Sequence, residues 1–180
     1  MGDIDREDPA YADVHALARA ELPAVERALA EAYAGKHARR LAAQEGGEAT
    51  YLIAWRGEQP LGHLLVRWHG AERDDVPSAL RERPYLEDAA VLPVWRSRGI
   101  GTRLFEAAHE LARARRCGEV GLAVGVENVR ARALYARLGY READLAPFRL
   151  TWSYTDAEGR PGTEGEDCVY MVKRLLGPHS

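Results

Sequence analysis

Val120 to Val126 reads V-G-L-A-V-G-V, a nearly uninterrupted apolar run. Such a run marks a strand buried on both faces, and that strand needs helices or loops packed above and below its sheet. A helical pattern precedes it from Ile100 to Arg116. There Leu104, Phe105, Ala108, Leu111 and Ala112 recur at helical intervals while Arg103, Glu106, Glu110 and Arg113 face elsewhere. Gly118 is the expected stop of that helix. A second helical pattern, Asn128 to Leu138, ends before Gly139, and a strand pattern, Tyr85 to Leu92, is closed by Pro93. Strand, helix, strand, helix in this order implies a parallel crossover unit.

Around that unit the patterning is shorter. A strand is expected over Asp13 to Ala18, then a helix from Glu21 to Ala34 with Leu22, Val25, Leu29 and Tyr33 on one side, ended by Gly35. A weaker helix covers Lys36 to Gln44. Tyr51 to Trp55 and Leu61 to Trp68 form a hairpin across Arg56-Gly57-Glu58-Gln59-Pro60. His69 to Pro84 is polar and irregular, and Phe148 to Tyr154 with Asp167 to Lys173 reads as a closing hairpin across a Gly-, Glu- and Pro-rich turn. The expectation is one domain, residues 1–180, with a core over 13–174 and loose ends at 1–12 and 177–180.

Charge narrows the function. A net charge of -3, with basic and acidic residues interspersed, offers no footprint for a nucleic acid. The amino terminus lacks a basic and apolar leader and no stretch reaches 18 apolar residues, so a cytoplasmic protein without a membrane partner is expected. Cys117 and Cys168 have no metal-ligand spacing, so reduced thiols and no metal site are expected.

The most informative stretch for chemistry is Val91 to Thr102, between a strand and the start of a helix. The first N–H groups of a helix lack intrahelical partners and lie at the positive end of its dipole, so an anion there gathers several backbone hydrogen bonds. Gly99 and Gly101 remove β-carbons that would hold a pyrophosphate away, and Arg96 and Arg98 add charge. The same glycines would also serve a plain sharp turn flanked by solvated arginines. The third glycine of G-x-G-x-x-G is replaced by Leu104 and no Walker lysine motif exists, which disfavours a dinucleotide fold and a P-loop.

Val91-x-Pro93 followed by Arg96-x-x-Gly99-x-Gly101 resembles the coenzyme A motif of the GNAT family of N-acetyltransferases. Downstream, Glu127-Asn128, Ala131, Leu134-Tyr135 and Gly139-Tyr140 are similar to that family's second motif, in the right order. The resemblance is firm over residues 85 to 140 and looser elsewhere. It implies an α/β (α+β) fold: a mixed, mostly antiparallel sheet of six to seven strands with a central parallel pair, flanked by about four helices. It also implies acetyl-CoA as cosubstrate, with no metal. Ala89 and Val91 would hold the pantetheine arm through their backbone. The pyrophosphate would meet the amides of Arg96, Ser97, Arg98, Gly99, Ile100, Gly101 and Thr102, with Arg98 a better phosphate contact than Arg103. Asn128 would touch the cofactor arm, though its place before a helix also makes it a natural N-cap.

Acyl transfer to an amine needs a proton removed from the amine and one supplied to the departing thiolate. Tyr135 shares a helical face with Ala131, Leu134 and Leu138, as a core tyrosine would, and the resemblance makes it the acid that faces the cofactor sulfur. For the base, strict alternation puts Glu87 on one strand face with Tyr85, Ala89 and Val91, while Asp88 faces the other way. The resemblance makes Glu87, acting through water, the expected base; a buried carboxylate paired with an arginine is the other reading of Glu87, and His63 or water alone are the alternative bases. The expected acceptor is a primary amine, either a small molecule or a peptide amino terminus. Its pocket would draw on residues 21–44, the loop 69–84 and the last hairpin; Asp74, Asp75, Glu87 and Asp88 could make it acidic, although a solvated loop explains Asp74 and Asp75 as well. A homodimer is left open. The competing function is a non-catalytic acyl-CoA sensor or scaffold, which has no need of the proton donor Tyr135.

Overall fold

A computed structural model describes residues 12–29, 35–71, 77–78, 81, 83–155 and 159–175. Tyr33, Asp74 and Asp75 lie outside the described residues. Among the described residues eight strands form one sheet: β1 (Asp13–Ala16), β2 (Ala49–Arg56), β3 (Gln59–Arg67), β4 (Tyr85–Val91), β5 (Glu119–Gly125), β6 (Arg141–Glu142), β7 (Phe148–Thr155) and β8 (Pro161–Arg174). Their order is β1-β2-β3-β4-β5-β8-β6, with β7 paired to β8. The helices are α1 (Leu22–Ala28), α2 (Lys36–Glu45), α3 (Ile100–Ala114) and α4 (Val129–Arg137). The sheet is antiparallel apart from the pair β4 and β5, in agreement with the expected class, and the two-residue β6 is the strand that sequence patterning misses.

Alternation along the strands sorts the core into two layers. Leu52, Leu64, Val66, Leu86, Val120, Leu122 and Val124 pack with Ile100, Leu104, Phe105, Ala108 and Ala112 of α3. Tyr51, Ile53, Trp55 and Leu65 pack on the other face with Val25, Leu29 and Leu41. Each side chain of this size contributes about 1.5–3 kcal/mol on burial, so both layers are needed to hold the sheet.

The parallel pair is matched at one position, Tyr85 opposite Gly121. Beyond it β4 and β5 share no further register pair, so the sheet opens between Val91 and Gly125. β4 also carries a bulge: His63 pairs with Ala90 but Leu65 pairs with Glu87, and Asp88 takes a φ of 55°. The extra residue breaks the alternation. Glu87, opposite Leu65, lies on the α2 face, whereas Val91 packs with the α3 layer. The expectation that Glu87, Ala89 and Val91 share one face is therefore corrected.

Three boundaries also differ from the sequence reading. Within the described residues α1 ends at Ala28, and the carbonyl of Leu29 accepts a hydrogen bond from His37 Nε2 at 2.8 Å, so a side chain of α2 satisfies the end of α1. Helix α3 ends at Ala114 and is closed at Arg116, not at Gly118. Arg116 has a φ of 59°, its N–H reaches the carbonyl of Arg113 at 2.8 Å, and that of Cys117 reaches Ala112 at 2.9 Å, a Schellman closure with an arginine in the left-handed position. Finally, Pro161 to Glu166 belongs to β8 rather than to a turn, because these residues pair with Leu150 to Thr155.

Candidate active site

The opening between β4 and β5 leads to a cleft of about 790 Å³ walled by Ala89, Ala90 and Val91 of β4, loop residues 95–97 and 99, the start of α3 and one stripe of α4. Of the sequence-predicted residues, Ala89, Val91, Arg96, Ser97, Gly99, Ile100, Gly101, Thr102, Asn128 and Tyr135 line it together. Arg98 and Glu87 do not.

Loop geometry explains the glycines differently from one another. Ser97 and Gly99 both have positive φ, 62° and 79°, which turns successive N–H groups toward one concavity. Gly99 also precedes α3, and a β-carbon there would meet nothing within 4 Å, so its backbone conformation is what calls for glycine. Gly101 is helical, and its β-carbon would touch only Leu134 and Val91, each at 4.0 Å. Protein packing thus leaves room at Gly101, and the volume a larger side chain would fill belongs to the cleft. A cradle of unpaired helix-start amides and a free volume above Gly101 fits a pyrophosphate-bearing group.

The arginines divide. Arg96 Nε donates to the carbonyl of Val91 at 3.1 Å and Arg130 Nη2 donates to Ser97 Oγ at 2.8 Å, both at the cleft. Arg98 instead stacks its guanidinium 5.2 Å from the centre of the Trp95 ring, on which Arg56 also stacks at 5.1 Å. Arg130 and Arg137 line the cleft and escape the sequence reading. With Ala133 and Leu134 they stand at i, i+3, i+4 and i+7 on α4, a signal present in the sequence but hidden because charges at that spacing usually mark a solvated face. Asn128 performs two tasks: Oδ1 accepts the N–H of Ala131 at 3.1 Å, capping α4, and the residue lines the cleft.

Tyr135 reaches the cleft with its ring 5.2 Å from Phe105 and 6.0 Å from Tyr140. Burial pushes its phenol above the usual value, so it keeps its proton at neutral pH and can donate. Beneath it, His109 Nδ1 lies 3.3 Å from Lys173 Nζ and Nε2 2.7 Å from the Tyr140 hydroxyl. An ammonium only donates, so Nδ1 accepts and the Nε2–H donates to Tyr140. Burial, with Lys173 and Arg113, lowers the imidazole to about 3, which fixes it neutral.

Across the sheet a second polar group gathers under α2. Asp88, lifted by the bulge, accepts Lys36 Nζ at 2.7 Å and also pairs with Arg40. His63, 1% exposed, has Nδ1 3.5 Å from Arg40 Nη1 and 3.8 Å from Asp88. Tyr51 and His37 extend the group, with His37 Nδ1 2.7 Å from the Tyr51 hydroxyl. Burial lowers the Arg40 guanidinium, but Asp88 and Tyr51 outweigh it, and it stays above its ordinary value. Glu87 is held by Arg67 Nε at 2.8 Å on this same face. None of the cations here is legible from sequence spacing. Among the described residues no group of His, Cys, Asp and Glu could hold a metal ion, and no helix is long and apolar enough to cross a membrane.

The family model for GNAT acetyltransferases matches residues 12–140. No curated protein matches the sequence. Among solved structures, the ribosomal-protein-S18-alanine N-acetyltransferase of Escherichia coli is similar, with 20% identity, a TM-score of 0.62 and coverage of 94% of this chain and 97% of that one. The ribosomal-protein-alanine N-acetyltransferase of Brucella melitensis gives 23% identity, a TM-score of 0.61 and coverage of 91% and 99%. The PaiA N-acetyltransferase of Thermoplasma acidophilum, in complex with coenzyme A, gives 13% identity, a TM-score of 0.60 and coverage of 91% and 99%. At these identities the structures establish a shared fold. The family model spans most of the chain and includes the cradle loop and α4, so the chain belongs to the acetyltransferase (GNAT) family and is an acetyl-CoA-dependent N-acyltransferase.

Proposed function

We propose that the protein transfers the acetyl group of acetyl-CoA to a primary amine, of a small molecule or a peptide amino terminus, by direct attack within a ternary complex. The observation that carries this is the continuity of the cleft, in which Gly99, Gly101 and Tyr135 line one space. Acetyl-CoA, when bound, supplies an activated thioester.

The chain's own groups divide the remaining work. The amides of residues 97–102, with the side chains of Arg96 and Arg130, hold the pyrophosphate, and the stretch of β4 at Ala89 and Val91 that β5 does not pair orients the pantetheine arm. Asn128 fixes the start of α4 and meets that arm. Tyr135, protonated because it is buried, gives its proton to the departing sulfur. With the α3 face given to the cofactor, the amine approaches from the α2 face, where Glu87 stands. Asp88 is shared by two cations and Glu87 by one, so Glu87 is the freer carboxylate to take the amine's proton through a water. The bulge thus moves Glu87 off the cofactor face while leaving it a role on the acceptor face.

The fold neighbours named for ribosomal-protein alanines make peptide amino termini one arm of the test. Purified protein, acetyl-CoA and a panel of polyamines, amino acids and peptides should release free thiol with at least one amine. Tight cofactor binding with no release on any amine would overturn catalysis in favour of an acyl-CoA sensor.

A further inference from the structure

Helix α4 carries three arginines, and they differ in what holds them. Arg132 donates to the carbonyl of Val126 at 3.1 Å and pairs with Glu142, outside the cleft lining. Arg130 lines the cleft and is fastened to Ser97 Oγ on the cradle loop at 2.8 Å. Arg137 lines the cleft, is exposed, and makes no hydrogen bond or ion pair with any described residue.

At 3.6 residues per turn, the α4 residues that wall the cleft fall on two adjacent stripes. Asn128, Ala131 and Tyr135 stand at i, i+3 and i+7, and none of them is charged at neutral pH. Arg130, Ala133, Leu134 and Arg137 stand at i, i+3, i+4 and i+7, turned toward the start of α3, where a β-carbon on Gly101 would touch Leu134 at 4.0 Å. Coenzyme A divides in the same way. Its pantetheine arm and thioester are uncharged, and all its charge lies in a pyrophosphate and a ribose 3′-phosphate. The uncharged stripe therefore fits the arm, and the cationic stripe fits the phosphates. Arg130, tied to the cradle loop, stands beside the pyrophosphate. Arg137 lies seven residues on, about 10 Å along the helix, so the two arginines are spaced for two phosphate groups rather than for one. An arginine in the last turn also favours a helix C-terminus through the dipole, a role that would leave it indifferent to the ligand.

We propose that Arg137 binds the ribose 3′-phosphate and makes the protein select coenzyme A over its 3′-dephospho form; this rests on coenzyme A occupying the cleft, as in the function proposed above. The guanidinium fork donates to two oxygens of the phosphate dianion. Ala133, small and exposed between the two arginines, keeps that stretch of the stripe open. Arg137 takes no part at the thioester, so its effect falls on cofactor affinity and leaves kcat at saturating acetyl-CoA unchanged.

Calorimetry of the full chain with coenzyme A and with 3′-dephospho-coenzyme A tests this without turnover. The wild type should bind coenzyme A about tenfold more tightly, the gain expected of one charge-assisted contact. Arg137→Ala should bind coenzyme A about tenfold more weakly and the dephospho form unchanged, so that the preference vanishes. Arg137→Lys, a point charge without the fork, should keep part of it. Arg130→Ala should instead weaken both ligands alike. A loss in Arg137→Ala that is the same for both ligands overturns the proposal and leaves Arg137 with its helix-end role alone. Equal binding of the two ligands by the wild type overturns it as well, and spares the coenzyme A reading of the cleft. A wild type that binds neither ligand sinks both.

Discussion

The two faces of the sheet solve different problems with different materials. On the α3 face the cleft is made of backbone: turned amides at Ser97 and Gly99, a helix start, and the unpaired edge of β4, set over an apolar layer. On the α2 face, charge and imidazole groups from α2, β2, β3 and β4 converge on Asp88. A cofactor of fixed shape is met by geometry that a few local residues can encode. The polar group proposed to meet the acceptor is instead made of side chains brought together over long sequence separations.

Gly101→Glu is the sharpest way to break the contrast. A glutamate would place bulk and negative charge in the cradle, and cofactor affinity should fall about 10³-fold, ~4 kcal/mol. Thermal stability should be kept, because a β-carbon at Gly101 meets neighbours only at 4.0 Å. Calorimetry showing unchanged affinity would remove the cradle from the site. Tyr135→Phe should lower kcat about 10²-fold with KM for acetyl-CoA nearly unchanged, the low end for a general acid because a thiolate leaves well. A wild-type kcat in steady-state kinetics would make Tyr135 a packing residue only.

Stability tests the layer beneath the cleft. The folded His109 is depressed to about 3, so its contribution is complete above the unfolded value near 6.5 and is lost as pH falls toward 3. The unfolding free energy from urea melts should drop between pH 7 and pH 5 by up to ~2 kcal/mol. His109→Gln should flatten that dependence, and an equal slope in the variant would refute the assignment.

Smaller effects are expected on the acceptor face. Glu87→Gln should slow turnover about tenfold at pH 7, where an alkyl amine of pKa near 10.4 is only about 0.04% neutral, and the defect should shrink by pH 9.5. A loss equal at both pH values points to its ion pair with Arg67 as the whole role. The smallest difference separates two arginines of the cofactor face. Arg130→Ala should weaken acetyl-CoA binding about fivefold, ~1 kcal/mol, through a lost charge-assisted contact, while Arg98→Ala changes it less than about twofold. The reverse order in binding measurements would mean that Arg98 leaves Trp95 for the phosphate.

Residues 85 to 140 by themselves determined the crossover unit and the glycine-bearing turn at the start of α3, while the expectation that Tyr135 and Asn128 face a cofactor came from their resemblance to the GNAT motifs. The crossover unit and the turn depend on neighbours a few positions apart, through helix periodicity, strand burial and glycine at a turn. Only the tertiary structure decided which face Glu87 takes, because one extra residue at Asp88 reverses the alternation and nothing in L-E-D-A-A announces a bulge. Arg98 likewise turned from phosphate to Trp95 because a ring became available to it. The cluster of Lys36, Arg40, His63 and Asp88 joins α2, β3 and β4 through packing, and side-chain contacts at such separations have no local periodicity to betray them.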